Sequence, residues 1–327
     1  MQRFVFMSVF LLFWACGSDD AEQAADVVDE PAVIPLAPPP EGAGYQLSFE
    51  AVAPPFSEVW LCKVGPMPNS VLANVNRVQA QQNPGTHHLT LSTLGLAPST
   101  PVEHGVYDCD ALYGDSSLMQ DQIMFYGNQG EAEHELIMPD GVAAGIPPML
   151  DVIHEVHYVN TTDQPVNLYS RINAWTMPAE DVVEGIWGSQ VRDETIDIPP
   201  RSTKTEWSRC VFNEDVEIIF MASHTHKLGK EFTIAPFDGQ ETGEIMYRND
   251  DWHTPKIVPY DPPLVVKAGE GFEWACTYDN PTDVAVGYGS TADDEMCNPT
   301  FVHTPFSLSA RCEVVETSDG VLWSPDQ

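Results

Sequence analysis

Positive charge is scarce in this sequence. Lys and Arg together number 14 against 49 Asp and Glu, a formal net charge of −35. So acidic a surface repels phosphate backbones, which excludes nucleic acid as a partner. Long apolar runs are missing too. The stretch from Phe4 to Ala15, broken only by Ser8, falls short of the roughly 20 residues that a membrane-spanning helix needs. No Cys-x-x-Cys pair occurs, so neither a thiolate zinc site nor a redox dithiol is signalled. Beyond Ala15 no stretch of about a dozen residues repeats apolar positions at helical spacing, and no internal sequence repeat is visible. With 43% apolar and 19% charged residues, a long disordered chain is excluded as well.

What remains is the vocabulary of strands and turns. The chain carries 28 Pro and 22 Gly, many more than a helical bundle tolerates. Tyr45, Leu47 and Phe49 alternate with polar residues. Leu150 to Asn160, Val166 to Met177, Glu217 to Phe232 and Gly271 to Tyr278 are rich in Val, Ile, Phe, Tyr and Trp. Pro and Gly clusters separate them at 139–141, 145–148, 199–200 and 262–263. The expected class is all-β, built as sandwiches. A length of 327 residues suggests roughly two domains, with a break near Met177-Pro178-Ala179-Glu180.

The N-terminal residues read as an address. Arg3, the apolar stretch and Ala15-Cys16-Gly17 resemble a bacterial lipoprotein signal, in which residues 1–15 are removed and Cys16 is lipidated. Residues 16–44 are acidic and Pro-rich, with Pro38-Pro39-Pro40 near their end, and read as a solvated tether. The expectation is an exported protein held to a bacterial membrane by its lipid alone, facing the periplasm or cell surface. Plain secretion is the alternative, because Phe13 stands where such signals prefer Leu. Six further cysteines, Cys62, Cys109, Cys210, Cys276, Cys297 and Cys312, imply three disulfides in an exported chain, and spacing does not choose among the 15 connectivities.

Histidine supplies the chemistry. His87 and His88 are adjacent, and neighbours on a regular strand point to opposite faces, so both reach one ion only at a strand end or a bulge. Otherwise the pair is one core and one surface residue. In Ile153-His154-Glu155-Val156-His157-Tyr158, alternation does not say which His is a ligand and which is packed. His224-Thr225-His226 is sharper. Residues i and i+2 share a strand face with Cβ atoms about 6–7 Å apart, close enough to converge on one ion. Val216, Ile218, Phe220 and Ala222 precede them at the same parity, which places both His on an inward apolar face where an unpartnered imidazole is costly. Met296, in Asp294-Glu295-Met296-Cys297-Asn298, offers a soft thioether suited to Cu(I). His104, His134, His154, His253 and His303 lack a paired motif and read as structural or surface residues. Asn160-Thr161-Thr162 fits a glycan acceptor, incidental in a bacterial lipoprotein.

These four elements, in this order and at these intervals, resemble the copper type II, ascorbate-dependent monooxygenases over roughly Tyr45 to Val315. The resemblance implies two tandem antiparallel, jelly-roll-like β-sandwich domains, 45–178 and 179–327. It implies two coppers per chain, one held by His87, His88 and His157, the other by His224, His226 and Met296. The second set would be catalytic, where O2 binds; the first would relay electrons from ascorbate or a similar reductant. It implies the bridges Cys62–Cys109, Cys210–Cys312 and Cys276–Cys297. Asn298 is retained beside the second set, whereas Ala222 and Thr300 replace an Arg and a Tyr of the peptide-amidating relatives, so a peptidylglycine substrate is not expected. The function so implied is C–H hydroxylation of a small organic molecule with O2. The alternatives are a non-catalytic copper-binding envelope lipoprotein for storage or delivery, and a zinc hydrolase using His224, His226 and Glu295. Oligomeric state is unassigned.

Overall fold

The computed structural model describes residues 34–93, 102–113, 123–289 and 293–321. The expected signal segment, Cys16 and most of the expected tether lie outside the described residues. Within them the chain is all-β: the helical pieces are Cys109–Tyr113 and the 3₁₀ turn Ala179–Asp181. No described helix is long and apolar enough to cross a membrane.

Residues Leu36–Gln327 form one contact-connected unit with two large hydrophobic cores. In the N-terminal half one sheet runs Gly44–Ala53, Val166–Thr176, Ala73–Gln82, Val142–Ile146 and Glu184–Gly185, with Glu133–Ile137 also on Ala73–Gln82. The other runs Gly105–Asp108, Ser57–Pro66, Asp151–Asn160, Thr86–Thr93 and Ile123–Gln129. Val75, Val78 and Ile172 of the first and Leu89, Leu91, Tyr126 and Val152 of the second share one core. Strand Glu184–Gly185 still pairs with Val142 and Ala143, so the chain leaves this half only after Gly185.

In the C-terminal half one sheet orders Trp187–Gln190, Asn298–Thr304, Val216–His224 and Val258–Val266. The other orders Tyr247–Asn249, Gly229–Phe237, Gly271–Asn280, Ser202–Phe212, Cys312–Thr317 and Gly320–Val321. Ile218, Met221 and Phe301 of the former meet Phe212, Phe232, Ile234 and Trp274 of the latter in the second core. The bridges Cys62–Cys109, Cys210–Cys312 and Cys276–Cys297 all form, as the resemblance implied. The last ties strand Gly271–Asn280 to the residue that follows Met296. Each bridge stabilises by about 2–4 kcal/mol, chiefly by restricting the unfolded chain.

The structure reveals a repeat that the sequence hid. In the N-terminal half Pro54-Pro55-Phe56-Ser57 docks on Asn160-Thr161-Thr162. Asn160 Nδ2 donates to the carbonyls of Ala53, Pro54 and Gln164, and the Phe56 N–H donates to the Thr162 carbonyl. In the C-terminal half Pro199-Pro200-Arg201-Ser202 docks on Asn280-Pro281-Thr282 the same way. Asn280 Nδ2 donates to Ile198, Pro199 and Val284, and the Arg201 N–H donates to Thr282. Phe56 and Arg201 both take positive φ, 47° and 52°. Two corners of identical wiring mark the halves as variations on one design. Only a few residues per corner are fixed by it, which is too few to surface as a sequence repeat. The same wiring buries Asn160 with its amide fully engaged, so it is not a glycan acceptor.

Candidate metal centre

The first histidine group stands on strands Thr86–Thr93 and Asp151–Asn160. Thr86 pairs with Tyr158 and His88 with His157, so His87 is an extra residue bulged out of the register. A bulge re-aims the side chain that alternation would send to the other face. All three rings meet: centroids are 5.0 Å apart for His87–His88, 4.9 Å for His87–His157 and 5.0 Å for His88–His157. One nitrogen from each lies within 4.8 Å of the other two. His154 goes elsewhere. It is buried on the opposite face, 2.7 Å from Ser170 Oγ, with its ring against Phe49.

Two carboxylates fix the orientation of two of the three rings. His88 Nε2 lies 2.8 Å from Glu155 Oε1, and His157 Nε2 lies 2.7 Å from Glu58 Oε1. A carboxylate only accepts, so each Nε2 carries the proton and each Nδ1 keeps its lone pair. Tyr113 donates to the other oxygen of Glu155 at 2.9 Å, and the Cys62–Cys109 bridge lies beside that carboxylate. Burial alone would raise the Glu155 pKa; the bonds from His88 and Tyr113 outweigh it and hold the group below the ordinary carboxylate range. His87 Nδ1 is 3.1 Å from His157 Nδ1. His87 Nε2 and His88 Nδ1 are buried without a hydrogen-bond partner. Orphaned buried imidazole nitrogens are costly, and a metal ion satisfies them. Burial first, then repulsion from its His neighbours, pushes the His87 pKa far down, and burial does the same to His157. Both are therefore neutral donors at pH 7, which is the ligand form.

The second group sits where strand Val216–His224 ends. The expected strand over 217–232 breaks here, with His224 its last residue and Gly229 opening the next strand. The expected inward face is also corrected. The register shifts between Ile218 and Phe220, and this bulge reverses the parity beyond it. Ile218 and Met221 face the core of their own half. Phe220, with Val302, instead packs against Leu136, Met138 and Val142 of the other half. His224 shares the face of Phe220 and so looks toward the N-terminal half.

Register carries the rest of the constellation. Ala222 lies opposite Thr300, and His224 opposite Asn298, all on that same face. Asn298 Nδ2 donates to Met296 Sδ at 3.3 Å, and Tyr278 donates to the Met296 carbonyl at 2.7 Å. The His224 and His226 rings have centroids 5.1 Å apart. His226 Nδ1 lies 2.9 Å from the Asp294 carbonyl and His224 Nδ1 lies 3.0 Å from Gln129 Oε1. Both acceptors take the Nδ1 proton, leaving both Nε2 lone pairs free. Burial pushes both imidazole pKa values down, His224 most strongly, so these rings too are neutral.

Glu295 is fully buried. Its oxygens accept the backbone N–H of His226 at 2.9 Å and of Leu228 at 2.6 Å. Burial lifts its pKa to about 7 against those bonds. It clamps the turn with both oxygens engaged, which counts against its use as a ligand in the zinc-hydrolase alternative.

Gln129, Trp252 and His253 were not legible as site residues. Gln129 pairs in register with His88 while its side chain reaches His224 and donates to the Trp252 carbonyl at 2.6 Å. The Trp252 ring stands 5.7 Å from His87. Gly130, at φ +77°, admits His253 and Thr254; a Cβ there would meet His253 O at 2.5 Å. No motif marks a lone Gln or a covering loop, so only spatial proximity finds them. Of the five unpaired His, His303 is wholly buried, His134 bonds Tyr126, and His104 pairs with Asp151 at the surface.

No curated protein matches the chain. Among solved structures, one of the infectious bursal disease virus Gt strain aligns with 86% of this chain and 81% of its own at 10% identity and a TM-score of 0.13, a likeness that carries no argument. Residues 186–322 match the model of the copper type II ascorbate-dependent monooxygenase C-terminal domain. That segment opens one residue after the chain leaves the N-terminal sheets and contains His224, His226, Met296, Asn298 and two of the three disulfides. Over these residues the chain is similar to the C-terminal domain of the copper type II, ascorbate-dependent monooxygenases.

Proposed function

We propose that this protein is an exported dicopper monooxygenase that hydroxylates a C–H bond of a small organic substrate with O2 and ascorbate or another small reductant. The observation that carries the reading is the pair of ligand sets on facing surfaces of the two halves. His87, His88 and His157 would hold one copper, and His224, His226 and Met296 the other. The two are linked by Gln129, which adjoins His88 along the backbone and His224 through its side chain. Bound there, copper supplies one-electron redox chemistry at each set and the activation of O2 at the set with the soft sulfur.

The chain's own part is to present neutral, oriented donors. The bulge at His87 gathers three rings that a regular strand would separate. The carboxylates and carbonyls behind four of the imidazoles fix their tautomers. The Glu295 clamp sets His226 at its turn, and Cys276–Cys297 anchors the backbone beside Met296. A substrate would lie against Ala222, Asn298 and Thr300, which share the face of His224. Neither Ala222 nor Thr300 offers a cation or phenol for a peptide carboxylate, which speaks against a peptidylglycine substrate. The two cores, each shared by two sheets, and the repeated corner support tandem β-sandwiches; a lipid on Cys16 would hold both outside the cell membrane.

The test is metal analysis of protein purified without added metal, followed by O2 uptake with ascorbate and a substrate panel. About two copper per chain and substrate-dependent uptake are expected. One zinc without copper would overturn the reading. Two copper without turnover on any substrate would leave the storage or delivery protein instead.

A further inference from the structure

The two ligand sets differ in what stands behind the imidazoles. Behind His88 and His157 are anions, Glu155 and Glu58, each on the outward Nε2. Behind His224 and His226 are neutral acceptors, the Gln129 amide oxygen and the Asp294 carbonyl, each on the outward Nδ1. A carboxylate on the far nitrogen gives the imidazole partial imidazolate character and makes it a stronger donor; a neutral carbonyl does so far less. Stronger donors and nearby negative charge favour the more highly charged oxidation state of a bound metal. The two carboxylates are built in. Glu155 is 5% exposed, bonded also by Tyr113 and flanked by a disulfide, whereas Glu58 reaches the same trio from the neighbouring strand Ser57–Pro66. The hydrogen-bond acceptors on the imidazoles of the second set are an amide and a backbone carbonyl, with the Asp294 carboxylate acting on His226 through space, and Met296 adds a soft, neutral sulfur.

Resting on the copper reading above, we propose that Glu58 and Glu155 are positioning residues that bias the His87–His88–His157 trio toward Cu(II), while Gln129 and the Asp294 carbonyl leave the His224–His226–Met296 set biased toward Cu(I). The hydrogen-bond acceptors thus add to the preference that the thioether itself imposes. Gln129 then has two parts: it joins the halves, and it keeps the acceptor on His224 uncharged.

The test uses the full exported chain stripped of metal and reloaded, with copper alone as the probe. Cu(I) and Cu(II) affinities are measured separately by competition with chelators selective for each state, and the Cu(II) resonance of each site is followed. Glu58→Gln and Glu155→Gln should each weaken Cu(II) at the trio by about 10–100-fold and alter its resonance, with Cu(I) affinity changed less than about threefold. Gln129→Glu should do the reverse at the second set, tightening Cu(II) there. Glu58 is half exposed, so its variant decides the matter if Glu155→Gln does not fold. Equal losses of Cu(I) and Cu(II) affinity would reduce the carboxylates to scaffolding and overturn the proposal. So would an unchanged ratio of the two affinities, while two bound copper would leave the proposed function standing. A wild-type trio that binds no copper would overturn both.

Discussion

Glu295 gives the most exacting test of how the second ligand set is held. Its buried carboxylate accepts the N–H groups of His226 and Leu228, at 2.9 and 2.6 Å. Glu295→Ala would leave two buried backbone donors unpaired in the turn that carries His226. Each orphaned donor costs about 1–3 kcal/mol, so the variant should lose roughly 2–6 kcal/mol. That is a large share of the 5–15 kcal/mol by which domains are ordinarily stable. With roughly 2–4 °C lost per kcal/mol at this chain size, the melting temperature should fall by about 4–24 °C. Glu295→Gln is the finer probe. Its amide keeps one acceptor but turns an NH2 toward the second N–H, so about half the loss should remain. Both variants should also bind less copper at the second set, because His226 loses its fixed backbone, while the trio keeps its full equivalent. Denaturant unfolding and copper titration on the same samples read both effects. Wild-type stability with wild-type copper content in Glu295→Ala would refute the clamp and restore Glu295 as a candidate ligand.

Met296→Ala should abolish hydroxylation and weaken Cu(I) at the second set while copper at the trio persists; full activity would remove the thioether from the site. His87→Ala should cost one copper equivalent, checked by metal analysis against the wild-type chain. Gly130→Ala places a methyl against His253 and Thr254 at a positive φ, so it should destabilise by about 1–3 kcal/mol and move Trp252 off His87, seen as a change in tryptophan fluorescence. His303 is buried beside Phe212, and burial lowers its pKa from 6.5 to about 4. Its folded pKa is depressed, so its contribution is complete above pH 6.5 and is lost as pH falls toward 4, about 3 kcal/mol in all. His303→Leu should flatten stability across that window; an unchanged acid limb would show that His303 is not the titrating group.

Much of this protein was settled by local sequence. Alternation of apolar and polar residues specifies strands because successive side chains take opposite faces, and the segments at 150–160, 166–177 and 271–278 form as read. The His-x-His and Met-Cys-Asn motifs name the candidate donors of the proposed copper site because few side chains bind copper at all. What local sequence leaves open is direction, since one extra residue in a strand reverses every face beyond it. The bulge at His87 brings two adjacent rings together, and the shift after Ile218 turns His224 from its own core toward the other half. Neither bulge has a composition of its own; both arise from how neighbouring strands align. The residues behind the imidazoles, Glu58, Glu155, Gln129 and Asp294, come from distant parts of the chain. Only the tertiary structure assigns them, because a hydrogen bond depends on where two groups meet and not on how far apart they are written.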